Sequence, residues 1–208
     1  MIELAAENRL TAGSGSYVFQ HPHDDGLLLK VFKPGASKQS LKSVFQPEKR
    51  RYGRLREWFV EYHHYIACLH RKGRCPDYLP RFCGFTDTSL GPAQVVEKIS
   101  DEASSSLALT MKQYLAAPDA DTDAVFSLSA RLFDAFGRDR MIFRDLNLSN
   151  ICVVRDGGGT PERLVVVDGL GDFTLIPLRT YSDTAYRKWH RSAHAKFDRN
   201  MRNAIAAR

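Results

Sequence analysis

The sequence predicts a two-lobed α+β protein in which a small antiparallel sheet comes first and a mainly helical part follows. Two observations carry this prediction: short apolar segments separated by turn residues near the N-terminus, and longer segments with helical apolar spacing after them. A chain of 208 residues is long enough for two small packed lobes within one domain, but not for two large domains. We place the N-terminal lobe at about 1–100 and the C-terminal lobe at about 101–208.

The composition excludes several classes of protein. Apolar residues make up 43% and charged residues 26% of the chain, which are ordinary globular fractions that argue against wholesale disorder. No apolar run is long enough to span a bilayer, and the N-terminus lacks the features of a signal peptide. The four cysteines show neither CxxC pairing nor zinc-like spacing. We therefore expect a cytoplasmic protein with reduced thiols.

The net charge of +6 is concentrated in two segments, 49–56 and 187–208. Such clusters can bind phosphate groups, and the alternative is that they are solvated helix faces. The second segment also carries an apolar stripe at helical spacing, formed by Trp189, Phe197, Met201 and Ile205. That stripe would suit peripheral contact with an anionic surface of the inner membrane, unless it packs onto the C-terminal lobe. Nucleic acid is not an expected partner, because no nucleic-acid-binding module is recognisable.

The first candidate site residues lie in a glycine-rich turn between two strands. Glycines at such a turn let backbone N–H groups approach phosphates closely, and an ordinary hairpin turn is the alternative. The candidate nucleotide-binding residues here are Gly13, Ser14, Gly15 and Ser16.

The strand LLLKVF at 27–32 contains Lys30, a charge that is costly to bury unless it is paired. A bound anion or a carboxylate partner is therefore expected, and the alternative is a lysine that faces water. A helix from near Pro47 to Lys72 follows, and its predicted buried stripe consists of Tyr52, Leu55, Phe59, Tyr62, Ile66 and Leu69. Glu61 lies on the flank of that stripe and is the expected partner of Lys30, whereas Glu57 points nearly opposite the stripe.

The remaining predicted elements are strands at 81–85 and 93–99, helices at 110–116 and from 122 onwards, strands at 151–154 and 164–167, and a helix at about 183–206. The segment 100–106 is polar and rich in small residues, and we interpret it as a hinge between the lobes. The helix from 122 is expected to bury Val125, Phe126, Leu132, Phe133 and Phe136.

The loop RDLNLSN at 144–150 places a carboxylate, Asp145, five residues before a carboxamide, Asn150. A second carboxylate, Asp168, ends an apolar strand and is followed by glycine. Magnesium takes oxygen ligands, so Asn150 and Asp168 are candidate metal ligands and Asp145 is a candidate catalytic residue that accepts a hydroxyl proton. The alternative for Asn150 and Asp168 is a turn-capping role.

The glycine-rich turn, the strand lysine, the helix glutamate, the RDxxxxN loop and the strand-ending Asp-Gly follow one another in the order of the protein-kinase-like fold. This order predicts ATP and Mg²⁺ as cofactors, with Lys30 as a catalytic residue that binds the α- and β-phosphates. Adenine is expected to contact backbone groups of the strand near Val96 to Ile99, which makes Glu97 and Ile99 candidate nucleotide-binding residues.

Several segments resemble the PhoP regulatory network (YrbL) family of bacterial proteins, and the resemblance spans most of residues 5–185. They are GSGSYVFQHP, LLLKVFKP, EYHHYIACL, RDLNLSNICVV and, most specifically, VVVDGLGDFTLIPLRTYS. That family resembles protein kinases and, more distantly, the lipopolysaccharide core heptose kinases. The resemblance implies a compact kinase-like domain with a truncated, mainly helical C-lobe.

The chain departs from the protein-kinase pattern at several positions. Phe143 replaces the usual histidine, Asn147 replaces the lysine of Ser/Thr kinases, and Asp168-Gly169-Leu170 replaces Asp-Phe-Gly. The stretch after Asp168 is also short for peptide docking. We therefore expect a non-peptide hydroxyl acceptor: a small molecule, a glycan or a lipid-linked sugar.

Three functions are consistent with these residues. The retained Lys30, Asp145, Asn150 and Asp168 favour a kinase that moves the ATP γ-phosphoryl group to a hydroxyl. The second is an ATP-binding pseudokinase that acts as a regulator in a PhoP-type stress-response network. The third is an ATP-independent binding module that uses the basic clusters.

Overall fold

The structure is a computed structural model that describes residues 1–12, 15–33, 51–102, 104, 106–172, 174 and 176–208. The chain divides into two compact units. The first unit comprises Met1–Arg56 and Pro80–Lys98, and the second comprises Glu57–Leu79 and Ile99–Arg208. The assignment of the whole chain to a single domain stays a prediction.

In the described part of the first unit, five strands form an antiparallel sheet in the order β1-β2-β3-β5-β4. Phe19, Leu29, Val31, Ala93 and Val95 form its buried core. Neighbouring side chains of a strand point to opposite faces, so Lys30 lies on the face opposite Leu29 and Val31. The strands are β1 (Arg9–Ala12), β2 (Ser16–Gln20), β3 (Leu27–Phe32), β4 (Phe82–Thr88) and β5 (Gly91–Glu97).

The second unit is mainly helical. Its strands, within the described ranges, form a small antiparallel sheet in the order β6-β7-β8. The strands are β6 (Leu109–Thr110), β7 (Ile151–Arg155) and β8 (Pro161–Val166). The helices are α1 (Leu55–Lys72), which begins at the end of the first unit, α2 (Met111–Ala116), α3 (Thr122–Asp139), α4 (Leu178–Tyr181) and α5 (Asp183–Ala206). These elements confirm the predicted α+β class, with the antiparallel sheet first and the helices after it.

Side-chain caps explain where the helices of the second unit begin. Thr110 and Gln113 form a capping box at the start of α2. Asp121 accepts a hydrogen bond from the N–H of Ala124 at the start of α3, and Ser182 caps α5. Arg140 ends α3 in the left-handed conformation, with φ 51°.

The apolar stripe of α5 packs within the second unit. Phe197 and Met201 are buried in its core, and Trp189 and Ile205 pack against that core. The stripe therefore packs onto the core of the second unit, which is the alternative that the sequence left open, and peripheral contact with a membrane stays a prediction. None of the described helices combines the length and the apolar character that a membrane span requires.

The predicted buried stripe of the first long helix was wrong. Tyr52, Phe59, Ile66 and Leu69 are exposed, whereas Trp58 and Cys68 are buried and Tyr65 packs against the core. The helix carries apolar residues on two neighbouring faces. The face that packs against residues distant in sequence is shifted by one position from the predicted face. The predicted start near Pro47 lies outside the described residues.

The segment 100–106 was interpreted from the sequence as a hinge between the lobes, and that interpretation stays a prediction. The N–H of Asp101 donates to the carbonyl of Ser106 over 2.8 Å. The buried Asp101 carboxylate accepts a 3.0 Å bond from Nε of Arg155 in β7. Asp101 is thus tied to the sheet of the second unit, because a buried carboxylate needs a charged partner.

Candidate active site

The RDLNLSN loop is anchored at both ends by buried residues. Met141, Ile142 and Phe143 precede it and are almost fully buried, and Leu148 is buried within it. The N–H of Lys112 in α2 donates to the carbonyl of Leu148 over 3.0 Å. Phe143, which stands where protein kinases have histidine, forms a β-bridge with Leu170. This anchoring presents Arg144 and Asp145 at the surface.

Side-chain amides hold the exposed Asp145 in place. Nδ2 of Asn147 donates to Oδ2 of Asp145 over 2.8 Å, and Oδ1 of Asn147 accepts from the N–H of Ser149 over 2.9 Å. Nδ2 of Asn150 donates to the main-chain carbonyl of Asp145 over 3.1 Å. The carboxamide nitrogen of Asn150 is therefore used in the loop, and Oδ1 is the atom of Asn150 that could ligate a cation.

Main-chain hydrogen bonds join the loop to the segment that carries Asp168. The N–H of Val167 donates to the carbonyl of Asn150 over 2.9 Å, and the N–H of Arg144 donates to the carbonyl of Gly169 over 2.7 Å. Oδ1 of Asp168 accepts from the N–H of Gly169 over 2.9 Å. Asp145, Asn150 and Asp168 are thereby brought together on adjacent segments.

Gly169 has a conformation that requires glycine. Its φ is +85°, and a Cβ atom there would lie 3.2 Å from the main-chain oxygen of Asp145. A side chain at this position would therefore be strained and would press on the residue that carries the candidate catalytic carboxylate. The glycine that follows Asp168 in the sequence is therefore sterically required, because the main chain at 169 lies close to that of Asp145.

The two adjacent segments carry two carboxylates and one carboxamide oxygen, and oxygen atoms of this kind suit Mg²⁺. Within the described ranges, no group of three or more His, Cys, Asp or Glu side chains is placed to hold a metal ion. Asn150 and Asp168 would suit a magnesium ion that takes its other ligands from phosphate and water, and their role as metal ligands stays a prediction.

One face of α1 contacts this region through three polar side chains: the sequence had indicated Glu61, whereas Glu57 and His64 were missed. Oε1 of Glu57 lies 3.6 Å from Nη1 of Arg144. Oε1 of Glu61 accepts from the N–H of Gly169 over 3.3 Å, and Nε2 of His64 accepts from the N–H of Asp172 over 3.3 Å. The expectation that Glu57 points away from the packed side of the helix followed from the wrong stripe. The helical spacing of 57, 61 and 64 was the signal that could have identified this face.

Asp172 is a further residue that the sequence reasoning missed. It is buried, and its Oδ1 accepts from the N–H of Thr174 over 3.1 Å and from Oγ1 of Thr174 over 2.7 Å. Among the described residues, Oδ2 of Asp172 has no hydrogen-bond partner. Burial lowers the pKa of His64 below its usual value, and the nearby Asp172 carboxylate opposes part of that shift. His64 is therefore a neutral acceptor.

The glycine-rich turn lies in the first unit, and Gly13 and Ser14 are outside the described residues. The carbonyl of Gly15 accepts from Nη2 of Arg54 over 2.6 Å and from the N–H of Lys33 over 3.1 Å. A Cβ atom on Gly15 would lie only 2.7 Å from Nη2 of Arg54. Ser16 pairs with Phe32 across β2 and β3. Arg54, which the sequence placed only in a basic cluster, thus closes the end of this hairpin.

The other candidate residues of the first unit are Lys30 and Glu97. Lys30 is half-buried and lies between Val18 and Gln94 on the neighbouring strands. Its pairing with Glu61, which belongs to the second unit, stays a prediction. Glu97 is held by Arg81: its carboxylate accepts from the N–H of Arg81 over 2.9 Å, and its own N–H donates to the carbonyl of Arg81 over 2.9 Å.

Ile99 belongs to the second unit, where its side chain is buried beside Ala108, Cys152, Val154 and Val165. Its carbonyl accepts from the N–H of Ala108 over 2.9 Å. Backbone groups of both Glu97 and Ile99 thus already have partners within the protein, and adenine contacts at these two residues stay a prediction.

An aspartate, an asparagine and an Asp-Gly pair follow one another in the order that protein kinases have, and main-chain hydrogen bonds join the segments that carry them. The chain belongs to the PhoP regulatory network protein YrbL family, whose model matches residues 2–202. A comparison with curated proteins finds no match.

Solved structures similar to the chain include kinase domains. A double mutant of the Mycobacterium tuberculosis PknI kinase domain is 15% identical, with a TM-score of 0.46 over 78% of this chain and 56% of that chain. WbdD in a co-crystal with a kinase inhibitor is 16% identical, with a TM-score of 0.44 over 76% of this chain and 31% of that chain. The chain therefore spans little more than half of the PknI domain.

Proposed function

We propose that this protein transfers the γ-phosphoryl group of ATP to a hydroxyl group of a non-peptide acceptor. The observation that carries the proposal is the convergence of Asp145, Asn150 and Asp168, which main-chain hydrogen bonds between 144–150 and 167–169 hold together. In kinase sites one carboxylate acts on the acceptor hydroxyl, and a carboxamide and a second carboxylate bind the metal ion.

In this proposal Asp145 orients the acceptor hydroxyl and accepts its proton late in the reaction. The 2.8 Å bond from Asn147 to Oδ2 of Asp145 limits the rotation of the carboxylate. Such positioning contributes to catalysis because the reacting oxygen must approach in line with the leaving group.

Asn150 and Asp168 would hold Mg²⁺, which when bound neutralises charge on the phosphate oxygens. Glu61 acts on this part of the site through the N–H of Gly169, which follows Asp168 directly. Lys30 and the backbone of the glycine-rich turn are the residues that we expect to bind the phosphates of the nucleotide.

Two observations support a non-peptide acceptor. Asn147 occupies the position at which Ser/Thr kinases have a lysine. The loop therefore lacks one positive charge near the transferred phosphate. The sequence also has only ten residues, 173–182, between Asp172 and the start of α5 at Asp183. A stretch of that length is short for docking an extended peptide, whereas a small molecule, a glycan or a lipid-linked sugar needs less surface.

The test is a titration with ATP and Mg²⁺ that follows the melting temperature of wild type, Asp168→Asn and a matched control, Asp119→Asn. Asp119 is an exposed carboxylate in the turn between α2 and α3. ATP at about 100 times its Kd is expected to raise the melting temperature of wild type and control by roughly 5–10 °C, with a much smaller rise in Asp168→Asn. An equal rise in all three proteins would contradict the metal role of Asp168, and no rise in wild type would overturn the proposed function.

A second candidate is an ATP-binding pseudokinase that acts as a regulator. One observation favours it. The residue two positions after Asp145 is the neutral Asn147, whose carboxamide already donates to Oδ2 of the carboxylate. The pseudokinase would be stabilised by ATP and Mg²⁺ in the same titration but would form no ADP with any acceptor. Measurement of ADP therefore separates the two candidates.

A further inference from the structure

A cavity of about 650 Å³ lies in the second unit, between the C-terminal end of α3 and the first half of α5. It is separate from the residues that hold Asp145, Asn150 and Asp168. Its lining consists of Gly137, Arg138, Arg140, Tyr186, Arg187, His190 and Arg191. Its volume is in the range that small-molecule ligands occupy.

The charge of this cavity is strongly positive. The described residues that line it include four arginines and one histidine and no carboxylate. Arg140 forms an ion pair with Asp183. Within the described ranges, Arg138, Arg187 and Arg191 form no salt bridge. A set of guanidinium groups that face one cavity repel one another, and a bound anion would relieve that repulsion.

The carboxylate nearest in sequence to the cavity arginines, that of Asp139, forms hydrogen bonds with residues outside the cavity. Asp139 follows Arg138 directly, but its Oδ2 accepts from Nζ of Lys72 over 2.7 Å and from the hydroxyl of Tyr78 over 2.6 Å. The charge of Arg138 also contributes to lowering the pKa of Asp139, so Asp139 offsets part of the charge of Arg138. The charges of Arg187 and Arg191 on α5 are the ones that we expect a ligand to balance.

The aromatic residues of the cavity are held rigidly. The Tyr186 hydroxyl donates to the carbonyl of Phe136 over 2.6 Å, and Nε2 of His190 lies 2.8 Å from the carbonyl of Phe133. The Tyr186 and His190 rings stack with centroids 5.8 Å apart, and the guanidinium carbon of Arg140 lies 4.8 Å from the centroid of the Tyr186 ring. These contacts fix the aromatic side of the cavity, and the guanidinium of Arg140 lies over the Tyr186 ring.

We propose that this cavity binds a small ligand that carries two or more phosphate groups. Arginine forks bind phosphate oxygens in pairs of parallel hydrogen bonds, and i,i+4 spacing places Arg187 and Arg191 on one side of α5. Arg138 and Arg140 approach from the end of α3. The ligand is a phosphoester of a sugar-like molecule or the phosphorylated headgroup of a lipid, which share this chemistry. The proposal does not depend on phosphoryl transfer at Asp145.

The test uses inorganic pyrophosphate as the probe, measured by calorimetry in buffer that contains EDTA, so that a magnesium-dependent nucleotide site does not contribute. The variant Arg187→Gln/Arg191→Gln removes two cavity charges from exposed positions of α5. The control Lys196→Gln/Arg199→Gln removes the same charge from exposed positions further along the same helix. We expect pyrophosphate to bind wild type and control equally, and the cavity variant at least about tenfold more weakly.

Vesicles distinguish the two sources of the ligand. Flotation with vesicles that contain a phosphoinositide bisphosphate is compared with flotation with vesicles of phosphatidylcholine alone. Binding that the cavity variant loses and the control keeps would assign a lipid headgroup, and pyrophosphate binding without vesicle binding would assign a free phosphoester. Equal weakening in the cavity variant and the control would overturn the proposal, and so would the absence of both pyrophosphate and vesicle binding by wild type.

The Asp168→Asn variant separates this proposal from the proposed function. Pyrophosphate binding in EDTA should be unchanged in Asp168→Asn, because the cavity does not contain that residue. Loss of pyrophosphate binding in Asp168→Asn would place the anion at the candidate active site and would contradict the proposal that the cavity binds it.

Discussion

Asn147 donates a 2.8 Å hydrogen bond from its carboxamide to the carboxylate of Asp145, two residues before it. The same carboxamide accepts from the N–H of Ser149, so both of its ends are used within the loop. A residue that differs from the protein-kinase pattern thus orients the candidate catalytic side chain. The bond is neutral on the donor side, so Asn147 positions Asp145 without adding charge beside the phosphate.

Replacement of Asn147 by alanine should lower the turnover number on the order of tenfold to a hundredfold, because the carboxylate of Asp145 loses the bond that limits its rotation. The KM for ATP should change little. Steady-state kinetics of ADP formation measure both constants. Ser149→Ala is the control, since Ser149 contacts Asn147 through its main-chain N–H. Unchanged turnover in Asn147→Ala would contradict the positioning role.

Gly169→Ala should destabilise the protein more than Gly159→Ala. Both glycines have almost the same φ, +85° and +86°, but only at Gly169 would a Cβ atom meet another residue, at 3.2 Å from the oxygen of Asp145. The left-handed conformation alone costs an L-residue about 1–2 kcal/mol, and the contact should add roughly 1 kcal/mol or more. Urea denaturation of the two variants measures the difference. Equal losses would show that the approach to Asp145 is not close.

His64→Gln should flatten the dependence of stability on pH. Burial lowers the pKa of His64 in the folded protein below 6.5, so the unfolded chain binds the proton first as the pH falls. The contribution of neutral His64 is therefore complete above the unfolded pKa and is lost as the pH falls below it. The free energy of unfolding of wild type should fall more between about pH 7.5 and 5.5 than that of His64→Gln.

The control for this prediction is His63→Gln, because His63 is an exposed neighbour on the same helix. This variant should keep the pH dependence of wild type. Parallel curves for wild type and His64→Gln would contradict the assignment of His64 as a buried neutral acceptor.

Tyr78→Phe should remove a bond that joins three segments of the second unit. The Tyr78 hydroxyl donates to Oδ2 of Asp139 over 2.6 Å, and Nζ of Lys72 donates to the same oxygen. Burial alone would raise the pKa of Asp139, but the hydrogen bonds from Lys72 and Tyr78, together with the charges of Lys72 and Arg138, outweigh it and lower the pKa below its ordinary value of 3.8. A hydrogen bond to a charged group stabilises by about 1.5–3 kcal/mol, which is the expected loss near neutral pH.

The sign of the pH effect follows from the lowered pKa of Asp139. Its contribution is present above the unfolded pKa and is lost as the pH falls through the folded pKa, so the gap between wild type and Tyr78→Phe should close in acid. Tyr181→Phe is the control, since Tyr181 is 81% exposed. A gap that stays constant from neutral pH to below pH 3.8 would show that Asp139 is not the charged partner.

The sequence was sufficient to identify the residues that the second unit brings together. Asp145, Asn150 and Asp168 lie at the ends of short buried segments, and β7 and β8 pair in register next to them. Residue type and order therefore carried most of the information, because main-chain pairing between neighbouring strands completes the arrangement.

The sequence was not sufficient for features that depend on packing between distant segments. Helix α1 has apolar residues on two adjacent faces, and the buried one contains Trp58 and Cys68. Because the buried face is one position away from the predicted one, Glu57 and His64 contact residues of the candidate active site. The cavity has the same origin, since its arginines come from the end of α3 and the first half of α5.

The most direct test of phosphoryl transfer is ADP formation from ATP and Mg²⁺ by wild type and Asp145→Ala, with a pool of sugars and other small hydroxyl compounds as acceptors. We expect wild type to form ADP and Asp145→Ala to be slower by roughly 10²- to 10⁴-fold, with its ATP-dependent rise in melting temperature retained. Equal rates of ADP formation by the two proteins would contradict the role of Asp145 as the residue that accepts the hydroxyl proton.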